Sequence, residues 1–312
     1  MRGYSATLLL AACAFLSTSD AAQTADKIGD TQTKSTSDNP DLKPLNKSGT
    51  VLLDMKEKKL LLKSEVVLRE GLLELLVCLK QTKEHESILS VPAQAQIIHA
   101  GLLALKAQQG SPVRWQPEFQ APTGQRIDIF CNWTDENGKA HREAAQSWVR
   151  HATRRYYVEK LEMLPETFKL PAETDLKWDA KHKELLWYGH MSAEQRDAAL
   201  KISQDANFQK AIQSFYKQSQ IRQMEATWVF AGSHFVTDEK TGEKFYQAES
   251  GDLICVANFA TATLDLSSNS SATNDDLMFE AYTERIPPVG TPVTIELIPV
   301  FDAPAKSPPA KK

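Results

Sequence analysis

The sequence predicts an α+β protein, a mixed or antiparallel β-sheet body that carries one core helix and an inserted helical segment. Three observations support this reading. Short apolar runs alternate with turn-forming clusters over residues 51–91, 127–149 and 228–301. One stretch after Pro92 repeats apolar residues at helical spacing. Residues 151–225 then change character: Gly189 is their only glycine, they hold no cysteine, and strand-like runs are scarce. With 312 residues the chain buries roughly three quarters of its unfolded surface, enough for one large domain or two without staples. Its 36 Lys+Arg against 40 Asp+Glu give a net charge of -4, without the basic excess of a nucleic-acid-binding protein. Four cysteines are too few for a disulfide scaffold.

The N-terminus reads as a secretory signal. Arg2 precedes the apolar run Ala6–Leu16, and Ser19-Asp20-Ala21 offers the small residues a signal peptidase needs, which places cleavage after Ala21. The run is shorter than the ~20 apolar residues of a membrane span. A rival reading takes Leu10-Ala11-Ala12-Cys13 as a lipobox with Cys13 lipidated, an anchor rather than a span. Both readings place the protein outside the cytoplasm, in the periplasm or cell envelope. Residues 22–49 lack aromatics and are dominated by polar side chains, so they read as a disordered linker, as does the tail 302–312. No further run is long enough to cross a membrane, and the folded part spans about 50–301.

Within it, Val51–Met55 and Leu60–Leu68 flank Lys56–Lys59 as a hairpin. Leu72–Leu79 is a buried strand or a short helix, and Ile88–Val91 a short strand. Pro92 starts a helix whose Ile97, Ile98, Leu102, Leu103 and Leu105 recur up to Gln109-Gly110. Ile127–Thr134 and His141–Val149 bracket a turn containing Asn137-Gly138, a strong hairpin cue. In the insert, Ser192-Ala-Glu-Gln195 is a capping box, followed by a helical stripe through Phe215. Trp228–Thr237 with Lys244–Ala248 form a second hairpin; Leu253–Phe259 and Pro292–Phe301 are further strands.

Several residues carry chemistry, each with a plainer rival. Lys83-Glu84-His85-Glu86-Ser87 packs two carboxylates, an imidazole and an amine into five residues, and could position a general base or supply metal ligands. The pattern itself favours a solvated polar turn, and the spacing is not that of a zinc-protease helix. His99, beside the apolar stripe of its helix, could act with His85 as a second ligand or base; a hydrogen-bonded packing residue is the commoner role. His141, His151, His182 and His190 show no ligand spacing. Cys78, Cys131 and Cys255 each sit in an apolar run and read as buried free thiols; export makes one disulfide available, with Cys78–Cys255 the preferred pair. Trp228–Ser233 reads as a core strand ending at a Gly-Ser turn rather than an aromatic surface. Glu284-Arg285, before the paired prolines 287 and 288, could bind a polar ligand or pair with each other.

The stretches Leu68–Gly71, Thr82–Ile88, Ile98–Leu103, Trp228–Ser233, Gly251–Val256 and Thr283–Pro288, in this order, resemble the YdjY-domain family of exported bacterial proteins. The resemblance spans most of residues 50–300. It implies that Lys83–Ser87, His99, Cys78, Cys255 and Glu284-Arg285 belong to the family pattern, which raises the weight on a shared functional surface near His85. It implies no activity, substrate or cofactor. Set against the short family form, the 75 residues of 151–225 are an insertion. Two functions follow. One is an exported envelope protein that binds a partner or a cell-surface polymer. The alternative is a metal-dependent or acid–base enzyme centred on His85, Glu84, Glu86 and His99.

Overall fold

The computed structural model describes residues 41–162, 174–237, 239–270 and 277–301. The expected leader with Cys13, most of the linker and the tail lie outside the described residues. The last part of the expected linker is ordered. Leu42–Pro44 (β1) pairs with Val51–Asp54 (β2), because Leu45 packs on the core and the Asn46 carboxamide oxygen accepts from the amides of Thr50 (3.0 Å) and Val51 (3.2 Å).

The hairpin at the start of the body forms as its turn chemistry requires: β2 pairs with Lys59–Val66 (β3), and Lys58 takes the positive φ of the turn. Leu75–Leu79 (β4) is a strand, every residue of it buried, and Ser87–Val91 (β5) lies beside it in parallel. Ala95–Ala104 (α1) follows, burying Ala95, Ile98 and Leu102 in the core. A Cβ on Gly101 would stand 2.7 Å from Leu60 Cδ1, so a bare glycine is what lets the helix approach β3 this closely. Arg126–Thr134 (β6) and Ala140–Ala144 (β7) form the hairpin expected around Asn137-Gly138. Val149–His151 (β8) leads into the insert.

The insert is α+β, not helical throughout. Tyr156–Lys160 (β9), Leu176–Asp179 (β10) and Glu184–Tyr188 (β11) make a three-stranded antiparallel sheet in the order β10-β11-β9. Ala193–Leu200 (α2) starts on the expected capping box, with Ser192 and Gln195 each accepting from the other's backbone amide. Ala206–Gln218 (α3) is capped by Asp205. Tyr157, Leu185, Trp187, Met191, Phe208, Ile212 and Phe215 bury one another between sheet and helices, a core of the insert's own. Its strands escape a reading by pattern because they are four or five residues long and the β10–β11 turn lacks the usual Asn-Gly signal.

Beyond the insert come Trp228–Val229 (β12), Phe235–Thr237 (β13), Lys244–Tyr246 (β14), Ile254–Cys255 (β15), Asp265–Leu266 (β16), Phe279–Ala281 (β17) and Pro292–Pro299 (β18). The expected 228–248 hairpin is split: β13 and β14 pair with each other, while β12 joins the main sheet. Eleven strands make that sheet, along the path β15-β4-β5-β3-β18-β6-β12-β16, with β1, β2 and β7 as branches. Its longest pairings place β18 between β3 and β6, both antiparallel. The two ends of the path meet. Ile254 bridges Leu264 in parallel, the Leu264 amide donates to Leu253 O at 2.9 Å, and the Cys255 amide donates to Leu264 O at 3.0 Å. The sheet therefore closes on itself, which leaves its central strands without an open edge. Trp228, wholly buried, donates its indole N–H to Cys255 O at 2.8 Å across this closure. Among the described residues no helix is long and apolar enough to cross a membrane.

Candidate functional site

The segment 80–86 has an unusual task. Parallel neighbours are ordinarily linked by a dozen or more residues, yet here the chain leaves β4 at Leu79 and re-enters β5 at Ser87. It manages this with two tight turns, Leu79–Thr82 and Lys83–Glu86, and an ion cluster that fastens them down. Lys83 Nζ lies 3.0 Å from Asp252 Oδ1, 3.4 Å from Glu86 Oε1 and 3.6 Å from Glu74 Oε2, and 4.7 Å above the centre of the Phe259 ring. Asp252 is buried, and its other oxygen accepts from the Thr261 and Ser250 hydroxyls. Burial alone would lower the pKa of Lys83; the hydrogen bond to Asp252 and the charges of Asp252, Glu86 and Glu74 outweigh it and hold the amine at about 12. Burial and the neighbouring Glu86 push Glu74 above the usual carboxylate range, with Lys83 opposing them. Gly251 makes the docking sterically feasible. Its φ is +121°, and a Cβ there would meet Thr82 Oγ1 at 2.5 Å. Two stretches far apart in sequence, Thr82–Ile88 and Gly251–Val256, are thus one structural unit.

His85 is left out of that unit. Its side chain is 79% exposed and its charged contact is Glu86 at 3.7 Å. Glu84 accepts from the Gln81 amide at 3.0 Å and Ser87 donates to Leu89 O at 2.9 Å, both local bonds that shape the turn. His99 sits elsewhere, inside the body. Its Nδ1 is 2.9 Å from Tyr246 Oη, and its ring meets Phe230 and Tyr246 edge-on at 4.9 and 5.4 Å. Tyr246 Oη donates in turn to Gly232 O at 2.9 Å. Burial lowers the pKa of His99 and keeps it neutral, the state of a packing residue. The structure does not bring His85 and His99 together: one faces solvent, the other is locked among aromatic rings, in keeping with the plainer reading of each. Among the described residues no group of three or more His, Cys, Asp or Glu is arranged to hold a metal ion. The cysteines stand as the buried thiols of the plainer reading, and the alternative Cys78–Cys255 pair is not bonded in the structure. Cys78, Cys131 and Cys255 are free and buried; Cys78 and Cys255 share a small apolar cluster with Leu75 and Ala262, and burial pushes both thiols up.

Glu284 and Arg285 do not pair with each other. Glu284 Oε2 lies 3.4 Å from Arg150 Nη1, while Arg285 donates to Gln223 Oε1 at 2.6 Å and stacks over Tyr282. They stand at the rim of a cleft of about 600 Å³ between the β6–β7 turn and the 284–292 loop. Trp133 and His141 form its aromatic wall. They are cross-strand partners in the hairpin, their rings stacked at 4.8 Å with planes 9° apart. His141 Nε2 is 2.8 Å from Asp135 Oδ2, which lowers the Asp135 pKa and fixes the imidazole. Asp135 also ties down its own turn, accepting from the amides of Asn137 (3.0 Å) and Lys139 (2.9 Å). Pro287 and Pro288 form the facing wall. A flat aromatic surface, a polar rim and a rigid frame suit binding of an extended ligand. Sequence reasoning passed over Trp133 and His141. Counting outward from the Asn137-Gly138 turn would have placed them opposite each other.

Comparison with known proteins supports the family resemblance over part of the chain. Residues 190–297 match the family model of the YdjY domain. The match covers about a third of the chain, and the resembling stretches before residue 190 lie outside it. No curated protein and no solved structure matches the chain. The match begins within the expected insertion, so α2 and α3 lie inside the matched YdjY stretch. That stretch does not close a sheet alone: its β18 is flanked by β3 and β6, and its Asp252 is paired with Lys83, all supplied from outside the match.

Proposed function

We propose that this protein is an exported cell-envelope protein whose closed sheet acts as a binding module, with the cleft between the β6–β7 turn and the 284–292 loop as its ligand site. The observation that carries this reading is the Trp133–His141 stack, held open to the cleft by a hairpin whose turn is pinned by Asp135. A rigid aromatic surface costs little entropy on binding. The titratable cluster at Lys83 has a structural task in the crossover, which removes most support from an acid–base site there. The leader-like residues 1–21 support export, with Cys13 as a lipid anchor in the rival form. Photo-crosslinking tests the reading. A photoreactive residue at Asn137, exposed on the rim, is expected to capture an envelope component in living cells. The same group at exposed Lys181, in the insert, is expected to capture none. Equal labelling from both positions, or from neither, contradicts the cleft assignment.

A further inference from the structure

Seven of the ten arginines among the described residues are engaged. Arg69, Arg114, Arg126, Arg142, Arg150, Arg196 and Arg285 each direct the guanidinium to a carbonyl, an amide or a carboxylate. Among the described residues, Arg154, Arg155 and Arg222 have no side-chain partner. Two of these three line a single cleft of about 390 Å³ at the seam between the β8–β17 pair and the insert. His151, Tyr156, Tyr157 and Gln218 complete its polar lining, and no acidic residue lines it. A third cation stands at its edge: Lys177 Nζ donates to Tyr156 Oη at 3.1 Å and has no carboxylate partner.

The cations share this space electrostatically. Arg155 and Arg222 both act on the Tyr157 phenol, and Arg222 also acts on His151. The carboxylates that act on the cleft do so from outside its lining. Glu225 is felt at His151, and Glu280 at Tyr157. Glu280 is already held by Arg150 at 2.8 Å and by Thr153 at 3.2 Å. In a chain of net charge -4, a concave site with two unpaired guanidiniums and a nearby ammonium is a local reversal of sign. Guanidinium forks match the paired oxygens of phosphate and carboxylate groups.

We propose that this cleft binds an oxyanion, the phosphate or carboxylate group of a ligand, through Arg155 and Arg222, with Lys177 adding to the attraction. The site is separate from the aromatic cleft and stands whether or not that reading holds. It is tested on the exported protein by following backbone amide NMR shifts during titration with inorganic phosphate and, separately, with citrate, ionic strength being held constant with chloride. The expected result is saturable shifts confined to residues 151–158 and 218–222 for at least one anion up to about 10 mM, weakened tenfold or more in Arg155→Gln/Arg222→Gln. Whichever anion binds more tightly names the source of the group. Both arginines are exposed, so the variant should fold, and an unchanged melting curve checks that. Arg126→Gln, remote and paired to Asp128, should leave the titration unchanged. No saturable shift with either anion overturns the proposal, and so does binding that survives the double substitution.

Discussion

Replacing Lys83 by Met should destabilise the protein through the crossover it fastens, and the size of the effect follows from its surroundings. The surrounding charges hold the amine at about 12, against an ordinary value of 10.5, a difference worth about 2 kcal/mol to the folded state. Methionine keeps the length of the side chain but leaves Asp252, Glu74 and Glu86 facing one another. The cost should stay below the roughly 3–5 kcal/mol of a fully buried broken pair, because the Lys83 side chain is 25% exposed. Urea unfolding at pH 7 should therefore show a loss of about 2–3 kcal/mol, a fall in Tm of several degrees. The same experiment at pH 5 separates charge from packing. Glu74 already has a raised pKa, so acidification lets the crowded carboxylates take up protons, and the deficit should shrink. A loss under about 0.5 kcal/mol at pH 7, within the range of ordinary surface substitutions, would refute the latch. So would a deficit that does not change with pH, which would point to lost packing against Phe259 instead.

Other outcomes follow from the same structure. Gly251→Ala combines a positive φ with a Cβ 2.5 Å from Thr82 Oγ1; it should cost about 2 kcal/mol or more by equilibrium unfolding. Asp265, buried and raised from 3.8 to about 7, holds its proton better when folded than when unfolded, so its contribution is present at acid pH and is lost as pH rises from about 4 through 7. Asp265→Asn should accordingly flatten that decline in the stability–pH profile, and an unchanged slope would contradict the assignment. Ser192→Ala removes half of the capping box; about 1 kcal/mol should be lost, with faster amide exchange confined to the insert. Thiol titration should find no reactive thiol at Cys78, Cys131 or Cys255 in the folded protein, and should find all three reactive after denaturation without reductant. A disulfide in the purified protein would show as two missing thiols.

What the sequence disclosed depended on how local the cause was. The hairpins β2–β3 and β6–β7, the helix after Pro92, the capping box at Ser192 and the last strand are set by turn chemistry and periodicity within a few residues and form where the pattern puts them, though β7 stops at Ala144 rather than Val149 and α1 at Ala104 rather than near Gln109. The closure of the sheet was not legible, because β12, β15 and β16 have two residues each and owe their places to partners far along the chain. The Lys83 segment was visible as a charged cluster, but its role comes from Asp252 and Gly251, which only the fold brings to it. His85 and His99 looked like a pair because they are near in sequence. The tight turn after β4 sends one outward, while α1 carries the other into the core. At the aromatic cleft, Glu284 and Arg285 stood out through the prolines that follow them. Trp133 and His141 did not, since a lone histidine in a hairpin has no ligand spacing and its meaning lies in the residue across the strand.

The most direct test of the binding account is retention of the protein on isolated envelope polymers, compared with Trp133→Ala and with Thr134→Arg, which places a bulky charge on the exposed rim of the same cleft. Both variants would first be checked for an intact fold by circular dichroism and melting. The account predicts that the wild-type protein co-sediments with one such polymer and that both variants lose that retention roughly tenfold or more. Retention unchanged in both folded variants, or a wild-type protein that no envelope polymer retains, would contradict it.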